Sequence, residues 1–126
     1  MFTVSWELAD GASGQIDVPE EARFLFGREQ ATVTADLPGL SRQALSIRDA
    51  GFGPVLFRGQ RDNGARVAVV SNDGWREWIE PQSAMNLLPQ ASRVEFYLAD
   101  QLVFSADVRH DERPRPSDHA LPETTY

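Results

Sequence analysis

The chain has no cysteine and no lysine, and only two of its 126 residues are histidine. Without cysteine there is no disulfide framework, no thiolate zinc site and no thiol nucleophile. That composition suits a reducing compartment, and a cytoplasmic location is expected. No apolar run approaches the roughly 20 residues of a membrane-spanning helix. The opening Met1-Phe2-Thr3-Val4-Ser5-Trp6-Glu7 lacks the basic-then-apolar pattern of a secretory signal. His110 and His119 both fall in a polar C-terminal stretch, where neither a fixed general base nor a metal site is expected. The sequence shows no nucleophile with its base, no paired carboxylates on a rigid element and no phosphate-binding P-loop. The expectation is therefore a non-enzyme that needs no cofactor and no metal.

Positive charge is also scarce. Formal net charge is −7, from 19 acidic and 12 basic residues. A duplex nucleic-acid binder needs a positive surface to release counterions, so a nucleic-acid partner is not expected. Every basic residue is arginine, as GC-rich coding favours. Arginine is also the side chain that grips phosphate with a planar, bidentate fork.

What is present is a succession of short extended segments. Phe2, Val4, Trp6 and Leu8 alternate with Thr3, Ser5 and Glu7, which predicts a half-buried strand. The turn residues Asp10 to Gly14 and the segment Gln15–Val18 complete a hairpin. Further strands are predicted at Phe24–Phe26, Ala44–Arg48, Val55–Phe57, Val67–Val70 and Trp75–Ile79, with extended pieces at Thr32–Thr34 and Asp36–Leu37 and a final hairpin from Val94–Leu98 and Leu102–Phe104. Residues 81–89 read as a loop with one helical turn near Met85. Trp75 and Trp78, expected on one side of their strand, are assigned by default to the core with Phe52, Phe57 and Phe96. About ten short strands, with turn signals every 8–12 residues or so, indicate an all-β sandwich of two antiparallel sheets. The predicted domain spans 1–108, and 109–126, a polar stretch poor in apolar residues, is expected to be a flexible tail.

Four features, in order, resemble the forkhead-associated (FHA) domain. Phe26-Gly27-Arg28 is similar to that family's Gly-Arg at the end of an early strand. Ser41-Arg42 follows thirteen residues after Arg28, where the family has Ser-Arg-x-His. Asn63-Gly64 lies on a polar loop in the place of its Asn-Gly-Thr, and Leu87-Leu88 and Arg93-Val94 precede the closing strands. The resemblance covers roughly 1–108 and implies a β-sandwich whose loops at one end read phosphothreonine peptides. The sequence departs from the family pattern at Ala44, in place of the histidine that orders the serine loop, and at Ala65, in place of the threonine. It departs again at Ala91-Ser92, in place of Gly-Asp, and at Arg58, in place of an aspartate.

A phosphate monoester carries close to two negative charges and three strong acceptor oxygens. Arg28 can fork two of them, Ser41 offers a hydroxyl and the turn at Gly39-Leu40-Ser41 offers backbone N–H groups. Arg42 is a second cation, Asn63 carries an amide for the peptide backbone, and Gly64 permits close approach. Arg58, Arg61 and Arg66 are expected to thicken a positive rim around the Asn63 loop. The final Pro122-Glu123-Thr124-Thr125-Tyr126 is similar to the Glu-Thr-Thr tail of small actinobacterial FHA regulators, which implies Thr124 or Thr125 as a phosphoacceptor. Two functions follow. One is a phosphothreonine-dependent interaction module in bacterial serine/threonine kinase signalling, with a phosphothreonine protein or peptide and a kinase as partners. The alternative is a degenerate scaffold of the same fold that binds a protein without phosphorylation, as in a secretion or assembly complex.

Overall fold

The computed structural model describes residues 2–29, 31–37, 40–50, 53–59, 65–71, 73–87 and 92–110. Within them lie eleven strands: β1 (Phe2–Leu8), β2 (Ser13–Val18), β3 (Arg23–Gly27), β4 (Val33–Thr34), β5 (Leu45–Asp49), β6 (Pro54–Arg58), β7 (Ala65–Val70), β8 (Arg76–Ile79), β9 (Ala84–Asn86), β10 (Ser92–Leu98) and β11 (Gln101–His110). They form a six-stranded sheet in the order β2-β1-β11-β10-β7-β8 and a five-stranded sheet in the order β4-β3-β5-β6-β9. The described pairings are antiparallel except β3 with β4, which run parallel, so the second sheet is mixed. No helix of the described residues is long and apolar enough to cross a membrane.

The period-two pattern explains the layering. Phe2 and Val4 of β1, Phe24 and Phe26 of β3, Leu45 and Ile47 of β5, and Val94 and Phe96 of β10 are fully buried, and their neighbours along each strand face outward. Four phenylalanines join the layers. Phe26 stacks on Phe104 at 4.1 Å between ring centroids and meets Phe96 edge-on at 5.4 Å, while Phe24 lies 6.2 Å from Phe104. Each such side chain contributes roughly 1.5–3 kcal/mol by leaving water, so this stack is the main adhesive between the sheets.

Several expectations are corrected. The helical turn near Met85 is the strand β9, which pairs with β6 through Val55↔Asn86, Leu56↔Met85 and Phe57↔Ala84. Trp75 lies just before β8 and is 71% exposed, and Trp78 is 42% exposed on the outer face of the six-stranded sheet. Residues three apart in a strand cannot share a face, so the two tryptophans do not form one buried stripe. Phe57 is 45% exposed on the outer face of the other sheet, whereas Phe96 is in the core as expected and Phe52 lies outside the described residues. Strand β11 ends on the pairs Thr3↔Arg109 and Phe2↔His110.

Candidate functional site

Strand directions bring several loops to one end of the sandwich. The C-terminal ends of β3 and β6 and the N-terminal ends of β5 and β9 lie side by side there. In the facing sheet the same end holds the start of β7 and the end of β8. The segment after β3, the segment leading into β5 and the two residues that flank the β6–β7 connection, Gly59 and Ala65, therefore share one rim.

Backbone hydrogen bonds fix the first two segments against each other. Arg28 N–H donates to Ser41 O at 2.9 Å, Ala44 N–H to Phe26 O at 2.8 Å and Ala35 N–H to Gly27 O at 3.1 Å. Gly27 makes the approach possible, since a Cβ there would sit 1.8 Å from the carbonyl oxygen of Arg42. On its other side the serine segment accepts a bond from Gly59 N–H to Ala44 O, at 3.0 Å. Ala44 itself is buried at the sheet end. Positions 28 and 41, thirteen residues apart in the chain, are thus neighbours across one hydrogen bond.

The side chains differ in how free they are. Arg28 is exposed, and among the described residues no carboxylate pairs with it. The Ser41 hydroxyl is half-buried and meets no hydrogen-bond partner among the described residues. Arg42 is engaged, with its Nε 2.8 Å from Glu29 Oε1 in an exposed pair; such pairs are worth about 0–1 kcal/mol and are easily exchanged. The expected backbone donors are only partly available: Leu40 N–H is used in the turn to Leu37 O at 3.2 Å, and Gly39 lies outside the described residues. Asn63 and Gly64, and Thr124 and Thr125, also lie outside them. For the loop that carries Asn63, the structure gives the two anchors, Gly59 and Ala65.

One of those anchors, Ala65, is held by a side chain that the sequence placed wrongly. Arg58 is no rim cation. It is 6% exposed and points inward from β6. Its Nη1 donates to Ile79 O at 2.6 Å and its Nη2 to Ala65 O at 2.9 Å, so one guanidinium ties the five-stranded sheet to both β7 and β8. Arg66 also leaves the rim, with its guanidinium stacked 4.0 Å over the Trp78 ring on the outer face. Arg61 lies outside the described residues.

A second polar cluster escaped the sequence reading. Glu95, in the centre of the six-stranded sheet, is 7% exposed although it faces outward. Its carboxylate accepts Arg76 Nη2 at 3.1 Å, Arg93 Nε at 3.1 Å and Tyr97 Oη at 2.8 Å. Burial pushes the Glu95 carboxyl up, but the hydrogen bonds from Tyr97, Arg93 and Arg76 outweigh it and hold the group below the usual carboxylate range. The bond to Glu95 raises the Tyr97 phenol in turn. Arg93 and Tyr97 at i−2 and i+2 on the same strand were the available signal, since such residues share a face.

The two-sheet order and the loops gathered at one end can be compared with solved structures. The MEK1 FHA domain matches with a TM-score of 0.60 at 10% identity, over 87% of this chain and 89% of that one. The FHA-1 domain of Mycobacterium tuberculosis Rv1747 matches at 0.53 and 18% identity, over 86% and 98%. The chain has the forkhead-associated fold. A second MEK1 FHA structure, in complex with the HOP1 pThr318 peptide, matches at 0.55 and 12% identity, over 86% and 97%. No protein-family model and no curated protein sequence matches the chain. Within the FHA frame, Arg28 and Ser41 occupy the loops at the end of the sandwich, and Arg58 holds the base of the third loop.

Proposed function

We propose that this FHA-fold chain is a phosphothreonine-dependent protein interaction module, with Arg28, Ser41, Arg42, Asn63 and Gly64 as its binding residues. The observation that carries the reading is the juxtaposition of an exposed arginine, unpaired among the described residues, with a serine across the Arg28–Ser41 backbone bond. Arg28 supplies the fork to two phosphate oxygens and Ser41 a neutral donor. Arg42 exchanges Glu29 for the phosphate. The missing histidine at position 44 is offset by backbone bonds on both sides of Ala44, which restrain the serine segment without a side-chain buttress. The MEK1 FHA domain in its complex with the HOP1 pThr318 peptide offers a precedent for the ligand class on this fold.

The partner in this reading is a phosphothreonine-bearing protein, and the phosphate is written by a serine/threonine kinase of the bacterial type. Thr124 and Thr125 are proposed phosphoacceptors, which mass spectrometry of the kinase-treated chain would locate. Arg28→Ala is expected to weaken a phosphothreonine peptide by about 2–4 kcal/mol, or roughly 30- to 700-fold. Fluorescence anisotropy against a phosphothreonine library and its unphosphorylated twin measures this. Equal binding by wild type and variant rejects the reading. A scaffold that binds its partner without phosphate is favoured by one observation, the pairing of Arg42 with Glu29, which occupies one of the two cations assigned to phosphate. Capture of a partner that survives phosphatase treatment would select that alternative.

A further inference from the structure

We propose that the outer face of the five-stranded sheet is a second docking site, which takes an extended acidic segment of a protein partner. Its occupant presents a carboxylate and an apolar side chain two residues apart. The site is independent of the loop-end reading, because other residues carry it.

The face carries an unresolved electrostatic conflict. Arg23 of β3 and Arg48 of β5 are direct cross-strand partners, and both are exposed. Like charges directly opposite each other destabilise a strand pair. Neither guanidinium forms an ion pair among the described residues, although the chain has 19 acidic residues to 12 basic ones. Beside the arginines is a hollow of about 300 Å³, lined by Ser46, Val55, Phe57 and Ala84 as well as by Arg23 and Arg48. Phe57 is 45% exposed on this face, a large apolar surface left open to water.

Register turns these residues into two rows. Arg23, Arg48 and Val55 lie across from one another, and Leu25, Ser46, Phe57 and Ala84 form the next row. The rows are two residues apart along β5, about 7 Å at strand rise. An extended peptide laid along the strands repeats its side chains on one face at the same spacing. One carboxylate then lies between the guanidiniums, where each donates to it, and the apolar side chain two positions on covers Phe57. Binding relieves the repulsion that the free protein tolerates.

The test uses the full chain and two synthetic probes, Ac-Ser-Glu-Ser-Leu-Ser-NH2 and a control in which glutamate and leucine are adjacent. Amide chemical shifts are followed by NMR. Saturable shifts at Arg23, Ser46, Arg48 and Phe57 are expected with the first probe and at least tenfold weaker binding with the control. Arg48→Gln should weaken the first probe at least tenfold, leave phosphothreonine-peptide binding unchanged, and leave Tm unchanged or higher. Absence of saturable shifts on this face, wild-type affinity in Arg48→Gln, or a fall in its Tm would each overturn the proposal. Arg28→Ala should retain the acidic probe; if it loses that probe, the peptide occupies the loop end and the second site does not exist.

Discussion

Replacement of Arg58 by methionine tests the view that the interaction loops rest on a buried guanidinium. Methionine preserves most of the aliphatic stem and deletes all the donors. The two bonds, 2.6 Å to Ile79 O and 2.9 Å to Ala65 O, join a charged donor to backbone carbonyls. Bonds of that kind contribute about 1.5–3 kcal/mol each, so their loss costs roughly 3–6 kcal/mol before relaxation. Part is recovered, because a buried cation no longer has to be kept from water. A net loss of about 2–4 kcal/mol is expected. Urea unfolding, with a slope of about 1–3 kcal/mol/M for a small domain, should show the midpoint lower by roughly 1–2 M. Arg58→Lys should fall between, since a point charge on a flexible stem cannot fork two carbonyls at once. A midpoint for Arg58→Met within about 0.3 M of wild type would refute the role assigned to this side chain.

Two further outcomes follow. Gly27→Ala places a methyl group 1.8 Å from Arg42 O and must push β3 away from the serine segment; unfolding should show a loss of about 3 kcal/mol, and any phosphothreonine binding should fall with it. Glu95 is depressed in the folded state, so its contribution is complete above the ordinary glutamate pKa and is lost as pH falls through the lower folded value. Glu95→Gln should therefore be less stable than wild type by about 1–2 kcal/mol near pH 7, with the gap closing in acid; a gap constant with pH in thermal melts would contradict the ion cluster.

The parts of this fold that could be read from sequence are those where one local rule operates. Phe2–Leu8 alternates without interruption, and its strand has the expected ends. Arg28 and Ser41 were placed together by the resemblance to the FHA domain, and the Arg28 N–H to Ser41 O bond makes their backbones neighbours. The failures come from competing rules. Arg58 was read by its charge, yet strand parity puts it on the face of Leu56, which is fully buried, so direction outweighed polarity. Trp75 and Trp78 were read by size, although Trp75 precedes β8 and Trp78 lies on the face opposite the buried Ile79. Ala84–Asn86 is too short for any period to show, and becomes a strand only because β6 offers it a ladder. Glu95 looked like an ordinary outward carboxylate because its cover comes from three side chains on two strands.

Phe2 and His110 are paired at the end of the six-stranded sheet remote from Ala65 and the Arg28 loops. A surface tether, fluorescent fusion or affinity handle joined beside either residue would therefore leave the opposite rim open to solution. Both attachment points lie at the same end of adjacent antiparallel strands, so pulling the two apart peels β1 from β11 one pair at a time, starting away from the loops. Immobilised binding assays and single-molecule pulling can use the same geometry.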